Sequence, residues 1–247
     1  MSRFGLKSHD YLTSPERKRL FNERLFSAIA EEYGRMTRML SFGSDARWKR
    51  QLIEQLPRMQ EPKCLDLACG NGDITALLLE RYPKAHIEGL DIAEPMLDIA
   101  RSRMPAEADV SFSKVDIMAT GFPDASFDVV TVGYGLRNAP ALAAAMAEIT
   151  RVLKSGGMLA TLDFSKYNNR VAAGVELTLL KLWCGLWGLL RSGNPDTYAY
   201  IGHSLAQFPS RNQIHTLFAE NDVTIVRSFL HFGGLTETII AVKDGKE

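Results

Sequence analysis

Asp66, Gly70 and Gly72 have the residue types and the spacing best suited to chemistry in this chain. The apolar residues 64–68 before the glycines predict a buried parallel strand, and the glycine turn ends it. A helix is predicted to follow at once, and glycine at both turn positions lets backbone approach a ligand and adopt positive φ. A strand, a glycine turn and a helix N-terminus together predict a small-molecule site at the carboxyl end of a sheet.

The same stretch excludes two common ligands. A dinucleotide-binding turn reads G-x-G-x-x-G, but Thr75 occupies the third glycine position, and no lysine follows as it does in a phosphate-binding loop. The pattern Asp66-x-x-x-Gly70-x-Gly72 instead resembles motif I of class I S-adenosylmethionine (SAM) methyltransferases.

A second strand, predicted at residues 86–91, ends in an acidic residue that suits the same cofactor. Asp91 follows the glycines by about 20 residues, where a carboxylate can accept hydrogen bonds from both ribose hydroxyls of an adenosine. The alternative is that Asp91 caps the helix that begins near Glu94 and Pro95, and the two roles are compatible.

Two further strand ends are predicted to complete the cofactor site. Asp116 ends the third strand and can accept the hydrogens of the adenine amino group, while Ile117 packs beside the ring. Gly133 and Tyr134 end the fourth strand, close to the expected position of the methyl donor. The alternatives are a solvated turn for Asp116 and ordinary core packing for Tyr134.

Strands and helices alternate regularly after the N-terminal region. This pattern predicts an α/β fold: a Rossmann-like class I SAM methyltransferase with a mostly parallel seven-stranded sheet and a C-terminal antiparallel hairpin. The expected elements are strands at 63–68, 86–91, 110–115, 127–133 and 157–164, a helix at 142–153 that ends in a loop at 154–157, and hairpin strands at 223–229 and 236–243.

The residues before the first strand have a different organisation. We expect a loose arm at 1–13, a helix that begins after Ser14, an irregular methionine-rich connection at 33–43 and a second helix at about 45–56. Residues 1–60 thus form an N-terminal helical lid region, and residues 61–247 form the SAM-dependent methyltransferase domain, with a lid insertion at about 167–210.

Composition narrows the class further. The 29 basic and 29 acidic residues cancel, so no nucleic-acid partner is expected. Three cysteines form no disulfide framework and favour a reducing cytoplasm. The five histidines lack ligand spacing, so no metal site is expected, and the polar N-terminus does not resemble a signal peptide.

Four motifs outside the SAM pattern resemble the ubiquinone/menaquinone biosynthesis C-methyltransferase family. They are Tyr134-Gly135-Leu136-Arg137-Asn138, Leu153-Lys154-x-Gly156-Gly157, Phe164-Ser165-Lys166 and Asp196-x-Tyr198-x-Tyr200-Ile201-x-x-Ser204. The resemblance implies methylation of a carbon of a polyprenyl hydroquinone. It also implies a cofactor site that contains Tyr33, Ala68, Gly70, Asn71, Gly72, Asp91, Ile92, Met96, Asp116, Ile117, Gly133 and Tyr134.

Three departures from the family pattern lie on the acceptor side. The family usually has Tyr-Asp-x-Met-Asn in the N-terminal lid, where this chain has Gly34 and Thr37 at the second and fifth positions. Asp45 and Ala46 replace a histidine-arginine pair, and His203 stands where an acidic residue is common. The resemblance therefore supports the methyl transfer more strongly than it supports a particular quinone.

Residues 171–190 are apolar almost all round, and only Glu176 and Lys181 interrupt them. The segment is long enough to span a membrane, but a lysine near its centre would cost about 2.5–3.5 kcal/mol. A lid over a lipophilic acceptor, a peripheral membrane contact or a homodimer face fits the regular α/β fold that continues afterward better.

These observations predict a SAM-dependent C-methyltransferase that acts on a lipophilic quinol such as demethylmenaquinol. Arg137, Asn138, Tyr200 and His203 are the candidate catalytic residues. Arg137 is expected to stabilise a phenolate, and His203 has the natural pKa of a base, although a water-facing helix residue is an equal alternative. A terpenoid or polyketide acceptor, and a SAM-binding relative that transfers no methyl group, remain the alternative functions.

Overall fold

The computed structural model describes residues 14–192 and 199–245. The predicted arm at 1–13 and part of the last family motif lie outside the described residues. The helices are α1 (Pro15–Leu40), α2 (Asp45–Glu54), α3 (Asp73–Arg81), α4 (Glu94–Arg103), α5 (Leu142–Val152), α6 (Arg170–Ser192), α7 (Ala199–Gln207) and α8 (Arg211–Glu220). The strands are β1 (Lys63–Leu67), β2 (His86–Asp91), β3 (Val110–Lys114), β4 (Phe127–Gly133), β5 (Leu153–Phe164), β6 (Val223–His231) and β7 (Thr236–Lys243).

All seven strands form one sheet in the order β3-β2-β1-β4-β5-β7-β6. Strands β1 to β5 are parallel, whereas β7 is antiparallel to both β5 and β6, which confirms the predicted fold class. The strand order reverses between β1 and β4. In such sheets the crevice outside the carboxyl ends of the strands at the reversal is where ligands bind.

Alternate side chains of the central strands enter two apolar clusters on opposite faces of the sheet. Cys64 packs with Trp48 and the α3 helix on one face, while Leu65 packs with Ile149 of α5 on the other. All residues of β1 after the first are buried, as expected for a parallel strand covered on both faces. This burial fixes the positions of the strand ends.

The predicted connection at 33–43 is wrong over most of its length, because α1 runs without a break from Pro15 to Leu40. Methionine and arginine are good helix formers, and their contribution offsets the cost of Gly34, about 1 kcal/mol. Met36 and Leu40 also pack against the core, which stabilises the last turns. The helix ends at Ser41, and Phe42 and Gly43 then adopt positive φ.

The start of β5 also differs from the prediction. We expected a loop at 154–157, but the strand begins at Leu153, which pairs with Phe127 of β4, and the next pair is Val129 with Met158. The intervening residues form a bulge in which Gly156 has a φ of 71°. A glycine-rich segment that resembles a turn can therefore remain in the sheet as an irregularity.

One helix among the described residues is long and apolar enough to cross a membrane by length and composition, over Arg170–Leu190. Its Leu180 and Cys184 side chains are buried in the core of the α/β fold. Other side chains on this helix, such as Val171 and Leu182, are exposed.

Candidate active site

A first cavity opens at the carboxyl ends of β1, β2, β3 and β4, beside the reversal in strand order. It encloses about 640 Å³ of space, which includes solvent at its open mouth. Ten of the twelve predicted cofactor residues line it: Tyr33, Ala68, Gly70, Asp91, Ile92, Met96, Asp116, Ile117, Gly133 and Tyr134. Residues from four separate strand ends therefore converge on one cavity.

Asn71 and Gly72 are the two predicted residues that do not line the first cavity. Gly72 caps the N-terminus of α3 with a φ of 78°. A Cβ there would lie 3.0 Å from Cβ of Ala100, so this glycine is required by close packing against α4. The Asn71 carbonyl accepts a hydrogen bond from Arg103, which fixes the outer side of the turn.

The Asp91 carboxylate accepts hydrogen bonds from two backbone segments and also lines the first cavity. Its Oδ2 accepts a 2.9 Å hydrogen bond from the backbone N–H of Gly70, and its Oδ1 accepts one of 2.9 Å from Ala93, the residue before α4. The carboxylate therefore joins the glycine turn to the next helix and also faces the first cavity. Burial raises its pKa, while the backbone hydrogen bonds lower it.

The first acidic residue of the motif, Asp66, lies beneath the cavity. Its carboxylate is fully buried and accepts hydrogen bonds from the hydroxyls of Thr75 (2.7 Å) and Thr131 (2.8 Å). Burial raises the pKa of Asp66 to about 6, against the lowering effect of these hydrogen bonds. Asp66 thus holds α3 and β4 against β1, which positions the strand ends that line the cavity.

Close backbone packing shapes the rest of the first cavity. A Cβ at Gly133 would lie 2.3 Å from Cδ1 of Ile74, and a Cβ at Gly135 would lie 2.8 Å from Cβ of Ala68. Ala68 itself has a positive φ of 52°, an uncommon conformation outside glycine. The chain turns away sharply after β1 and β4, and this leaves room for a ligand between them.

The sequence prediction missed residues of α1 that cover the first cavity, namely Arg19, Asn22 and Phe26. Asn22 is the informative one, because it is a polar residue with only 1% of its surface exposed. A polar side chain within the apolar stripe of a helix was the signal that could have found it.

A second, more apolar cavity of about 1040 Å³ adjoins the first. It lies between the end of α1, the end of β4 and helices α6 and α7. Its lining contains Leu25, Phe26, Ile29, Tyr33, Met36, Thr37, Leu40, Ser41, Trp48, Tyr134, Arg137, Asn138, Phe164, Leu180, Trp183, Cys184, Tyr200, Ile201, Phe232, Leu235 and Thr236. Three of the four predicted catalytic residues, Arg137, Asn138 and Tyr200, belong to it.

Arg137 is the only residue in this lining with a charged guanidinium or ammonium group, and 6% of its surface is exposed. Its Nη1 donates to the Ser204 hydroxyl, and its guanidinium lies 4.7 Å from the ring centroid of Phe164. The buried carboxylate of Asp163 accepts a 3.1 Å hydrogen bond from the Arg137 backbone N–H. Burial raises the pKa of Asp163, and the nearby Arg137 charge opposes that shift.

A hydrogen-bonded group of Asn22, Asn138 and Tyr200 stands between the two cavities. The Tyr200 hydroxyl lies 2.6 Å from Oδ1 of Asn22 and 2.8 Å from Oδ1 of Asn138, so either oxygen can accept its one hydrogen. Asn22 donates to the Asn138 carbonyl at 2.6 Å. Burial raises the pKa of Tyr200 to about 12, so its hydroxyl stays protonated and acts as a donor.

Lys18 of α1 adds a second tie to the same loop. Its ammonium group donates to the carbonyls of Arg137 (3.0 Å) and Ala139 (2.7 Å), and burial lowers its pKa to about 8. Helix α1 is thus fastened to the loop after β4 by both Lys18 and Asn22. These two contacts from α1 position the loop that carries Arg137 and Asn138.

His203 is not brought together with the other three candidates. It follows Tyr200 on α7 and immediately precedes Ser204, but it lines neither of the two cavities as the structure describes them. Its half-buried position on the helix agrees with the alternative that the sequence left open.

The two cavities share Phe26, Tyr33, Tyr134 and Asn138 in their linings. The lining of the first cavity is compatible with SAM, because it combines the carboxylates of Asp91 and Asp116 with the backbone of Gly70 and Gly133. The second is a largely apolar volume whose lining includes Arg137, Asn138 and Tyr200. This sheet and this pair of cavities define a SAM-dependent methyltransferase of class I.

Comparison with known proteins agrees with this class and narrows it. Residues 14–244 match the model of the ubiE/COQ5 methyltransferase family. The chain belongs to the ubiE/COQ5 methyltransferase family, and SAM is its cofactor.

Two relatives give the range of similarity. The chain is 36% identical to a demethylmenaquinone methyltransferase of Thermus thermophilus over 210 residues, which cover 85% of this chain and 96% of the relative. It is 29% identical to a demethylmenaquinone methyltransferase of Staphylococcus aureus over 222 residues, 90% of this chain and 92% of the relative.

Solved structures share the fold at lower identity. A SAM-dependent methyltransferase from Aquifex aeolicus matches with a TM-score of 0.61 at 14% identity, over 88% of this chain and 98% of its own. The putative methyltransferase complexed with the Trm112 activator of Haloferax volcanii matches with a TM-score of 0.65 at 17% identity, over 89% of this chain and 98% of the matched chain.

Proposed function

We propose that this methyltransferase transfers the methyl group of SAM to a ring carbon of a lipophilic quinol of the demethylmenaquinol type. The observation that carries the proposal is the shared wall of the two cavities. A donor in the first cavity and an acceptor in the second would meet at Tyr33, Tyr134 and Asn138. The names of the relatives support a demethylmenaquinol as the acceptor.

The residues of the first cavity are proposed to bind SAM as their positions suggest. Asp91 would accept hydrogen bonds from the ribose hydroxyls. Asp116 and Ile117 would contact the adenine, and Gly133 and Tyr134 would lie beside the sulfonium end. When bound, SAM supplies an electrophilic methyl group on a positively charged sulfur. The protein then contributes mainly by holding the acceptor carbon in line, and good orientation of this kind can lower a barrier by about 7–11 kcal/mol.

A ring carbon is nucleophilic enough only when the adjacent hydroxyl of the hydroquinone is ionised. We propose that the Arg137 guanidinium stabilises this phenolate, because it is the positively charged group in the described lining of a largely apolar cavity. Tyr200 and Asn138 orient the ring by hydrogen bonding. The hydroxyl proton and the ring proton both leave to water, since no base with a suitable pKa lines the described part of the cavity.

His203 is the remaining candidate for the base. It lies on α7 and lines neither of the two described cavities, so its role is tested on the acidic side of the kcat–pH profile. If His203→Gln removes a fall in kcat below about pH 6–7, then His203 accepts the proton. If the profile is unchanged, His203 has no part in the proton transfer.

We also propose that α1 and α2, within residues 1–60, and α6 and α7, within about 167–210, act as lids over the carboxyl edge of the sheet. Side chains of α1 line both cavities, whereas side chains of α2, α6 and α7 line the second. The protein is proposed to be cytoplasmic and in peripheral contact with a membrane, where a polyprenyl quinol dissolves.

The experiment is a product analysis with purified protein, SAM and a reduced demethylnaphthoquinol that carries a short prenyl tail. We expect equal amounts of S-adenosylhomocysteine and of a product heavier by one methylene unit, with the new methyl on the ring carbon. The matched oxidised quinone should give no product, because it has no ionisable hydroxyl. A methylated oxygen, or turnover only with terpenoid or polyketide acceptors, would contradict the quinol proposal, and SAM binding without turnover would contradict methyl transfer.

A further inference from the structure

We propose that the outer face of α6, together with Phe42 and Phe232, docks this protein on an anionic lipid surface. The inference deepens the proposed function, because a surface of this kind would bring the second cavity to a lipid-dissolved acceptor.

Six aliphatic side chains form what we call the α6 stripe: Val171, Val175, Leu179, Leu182, Leu186 and Leu190. Successive members are three or four residues apart, so all six share one face of the helix. The exposed fraction is 48% at Leu186 and reaches 77% at Val171. A contiguous face of this size on a soluble protein indicates an interaction site.

The opposite face of α6 packs against the rest of the protein. Leu180 and Cys184 are buried, and both line the second cavity with Trp183. Glu176 on the same inner side accepts a hydrogen bond from the Tyr167 backbone N–H. The helix therefore cannot leave the fold to span a bilayer without opening the second cavity. Lying flat on a surface exposes the stripe to lipid and keeps the inner face packed.

Two exposed aromatic rings extend the apolar surface to the mouth of the second cavity. Phe42 is 61% exposed, and its ring centroid lies 4.6 Å from that of Trp183. Phe232 is 47% exposed, lies 5.6 Å from Phe42 and lines the cavity. Phe42, Trp183 and Phe232 thus connect the edge of the α6 stripe with the cavity. Aromatic rings in this setting are typical of the boundary between lipid and water.

The basic residues of α6 and of the segment just before it favour an anionic partner. The chain as a whole is neutral, but residues 166–190 contain Lys166, Arg170 and Lys181 and only one acidic residue, Glu176, which is buried. Basic residues beside an apolar helix face favour anionic headgroups by about 1 kcal/mol each. A symmetric dimer through the same face would bring like charges together, because each copy presents the same patch. An anionic lipid surface therefore fits this face better than a second copy.

The test is flotation of the full-length protein with vesicles of phosphatidylcholine alone or mixed with phosphatidylglycerol. We expect the protein to float with the mixed vesicles and to be released by salt. Replacement of three stripe residues, L179S/L182S/L186S, should lower the partition coefficient at least ~tenfold, and charge reversal in R170E/K181E should lower it at least ~tenfold on mixed vesicles only. Val226→Ser is the matched control, since Val226 is 51% exposed but lies on β6, outside this surface.

A second measurement separates docking from catalysis. None of the three replaced leucines lines a cavity, so the triple variant should retain wild-type turnover of a water-soluble acceptor without vesicles and lose turnover of a long-tailed acceptor in vesicles. Failure of the proposed quinol chemistry would leave the flotation result unaffected. Equal flotation of wild type and triple variant, or no flotation of either, would overturn the docking proposal. A wild-type dimer that the triple variant dissociates would overturn it in favour of a second copy.

Discussion

Replacement of Asp91 tests the cofactor site most directly. Its carboxylate lies between the glycine turn and α4, accepts one backbone N–H from each, and still faces the first cavity with lone pairs for a ligand. In Asp91→Asn the amide keeps one acceptor oxygen and loses the charge. The ribose then loses one charge-assisted hydrogen bond, worth about 1.5–3 kcal/mol, or ~10- to ~150-fold in the Kd for SAM.

The same change has a cost in the free protein. The amide –NH2 group must face the backbone N–H of either Gly70 or Ala93, and one donor left without an acceptor costs about 1–3 kcal/mol of unfolding free energy. We therefore expect a lower Tm as well as weaker binding. Circular dichroism at the temperature of titration must show that the variant is folded before the Kd is interpreted.

The assay is isothermal titration with SAM and with S-adenosylhomocysteine. Both should bind more weakly through the ribose that they share, although SAM alone carries the methyl group and the positive charge on sulfur. Asp98→Asn is the matched control: this carboxylate lies on α4, is 68% exposed and pairs with Arg101. Wild-type affinity in folded Asp91→Asn would refute the ribose assignment, and a loss for SAM alone would place Asp91 near the sulfonium instead.

Three further predictions concern the second cavity and the packing beneath the first. Arg137→Ala should lower kcat by about 10²–10³ with little change in SAM affinity, and Arg137→Lys should recover only part, because an ammonium cannot copy the planar fork; full activity in the alanine variant would remove the phenolate role. Because burial raises the pKa of Asp66 to about 6, the folded state binds a proton at this carboxyl more tightly than the unfolded state does. The resulting stabilisation is fully present below about pH 4 and is lost as the pH rises through about 6. The unfolding free energy of Asp66→Asn relative to wild type should thus increase by on the order of 3 kcal/mol between about pH 4 and pH 7. The same pH dependence of the unfolding free energy in both proteins, measured by urea denaturation, would contradict this. Gly133→Ala should cost about 1–3 kcal/mol through the 2.3 Å contact with Ile74, and Ile74→Val in the same chain should relieve most of it; independent effects of the two changes in urea denaturation would contradict the packing argument.

The SAM-binding half of the candidate site could be predicted because its signals are local. Each of Asp91, Asp116 and Gly133 follows a recognisable strand, and parallel strands bring their carboxyl ends to one edge of the sheet. The order of the strands in the sheet then places these strand ends around one cavity. The glycine motif and the acidic end of the second strand, Asp91, together indicated which ligand the edge receives.

The acceptor half depended on packing between distant helices. The sequence indicated that α6 is apolar, but the fold decided that Leu180 faces the cavity and Leu182 faces outward. Asn22 and Tyr200 are separated by 178 positions in the chain and meet only because α1 and α7 cross the same loop. His203, three residues after Tyr200 on α7, lines neither cavity, whereas Tyr200 lines the second.

The sequence by itself therefore determined the sheet, the cofactor and the chemistry, because strand ends and glycine turns are short-range features. The tertiary structure alone decided that α1 continues to Leu40 and lines both cavities, and which side chains of α6 and α7 line the second cavity. The reason is physical: the continuation of a helix past Gly34 and the rotation of a helix about its axis are set by the side chains that it buries against other elements, and those partners lie far away in the chain.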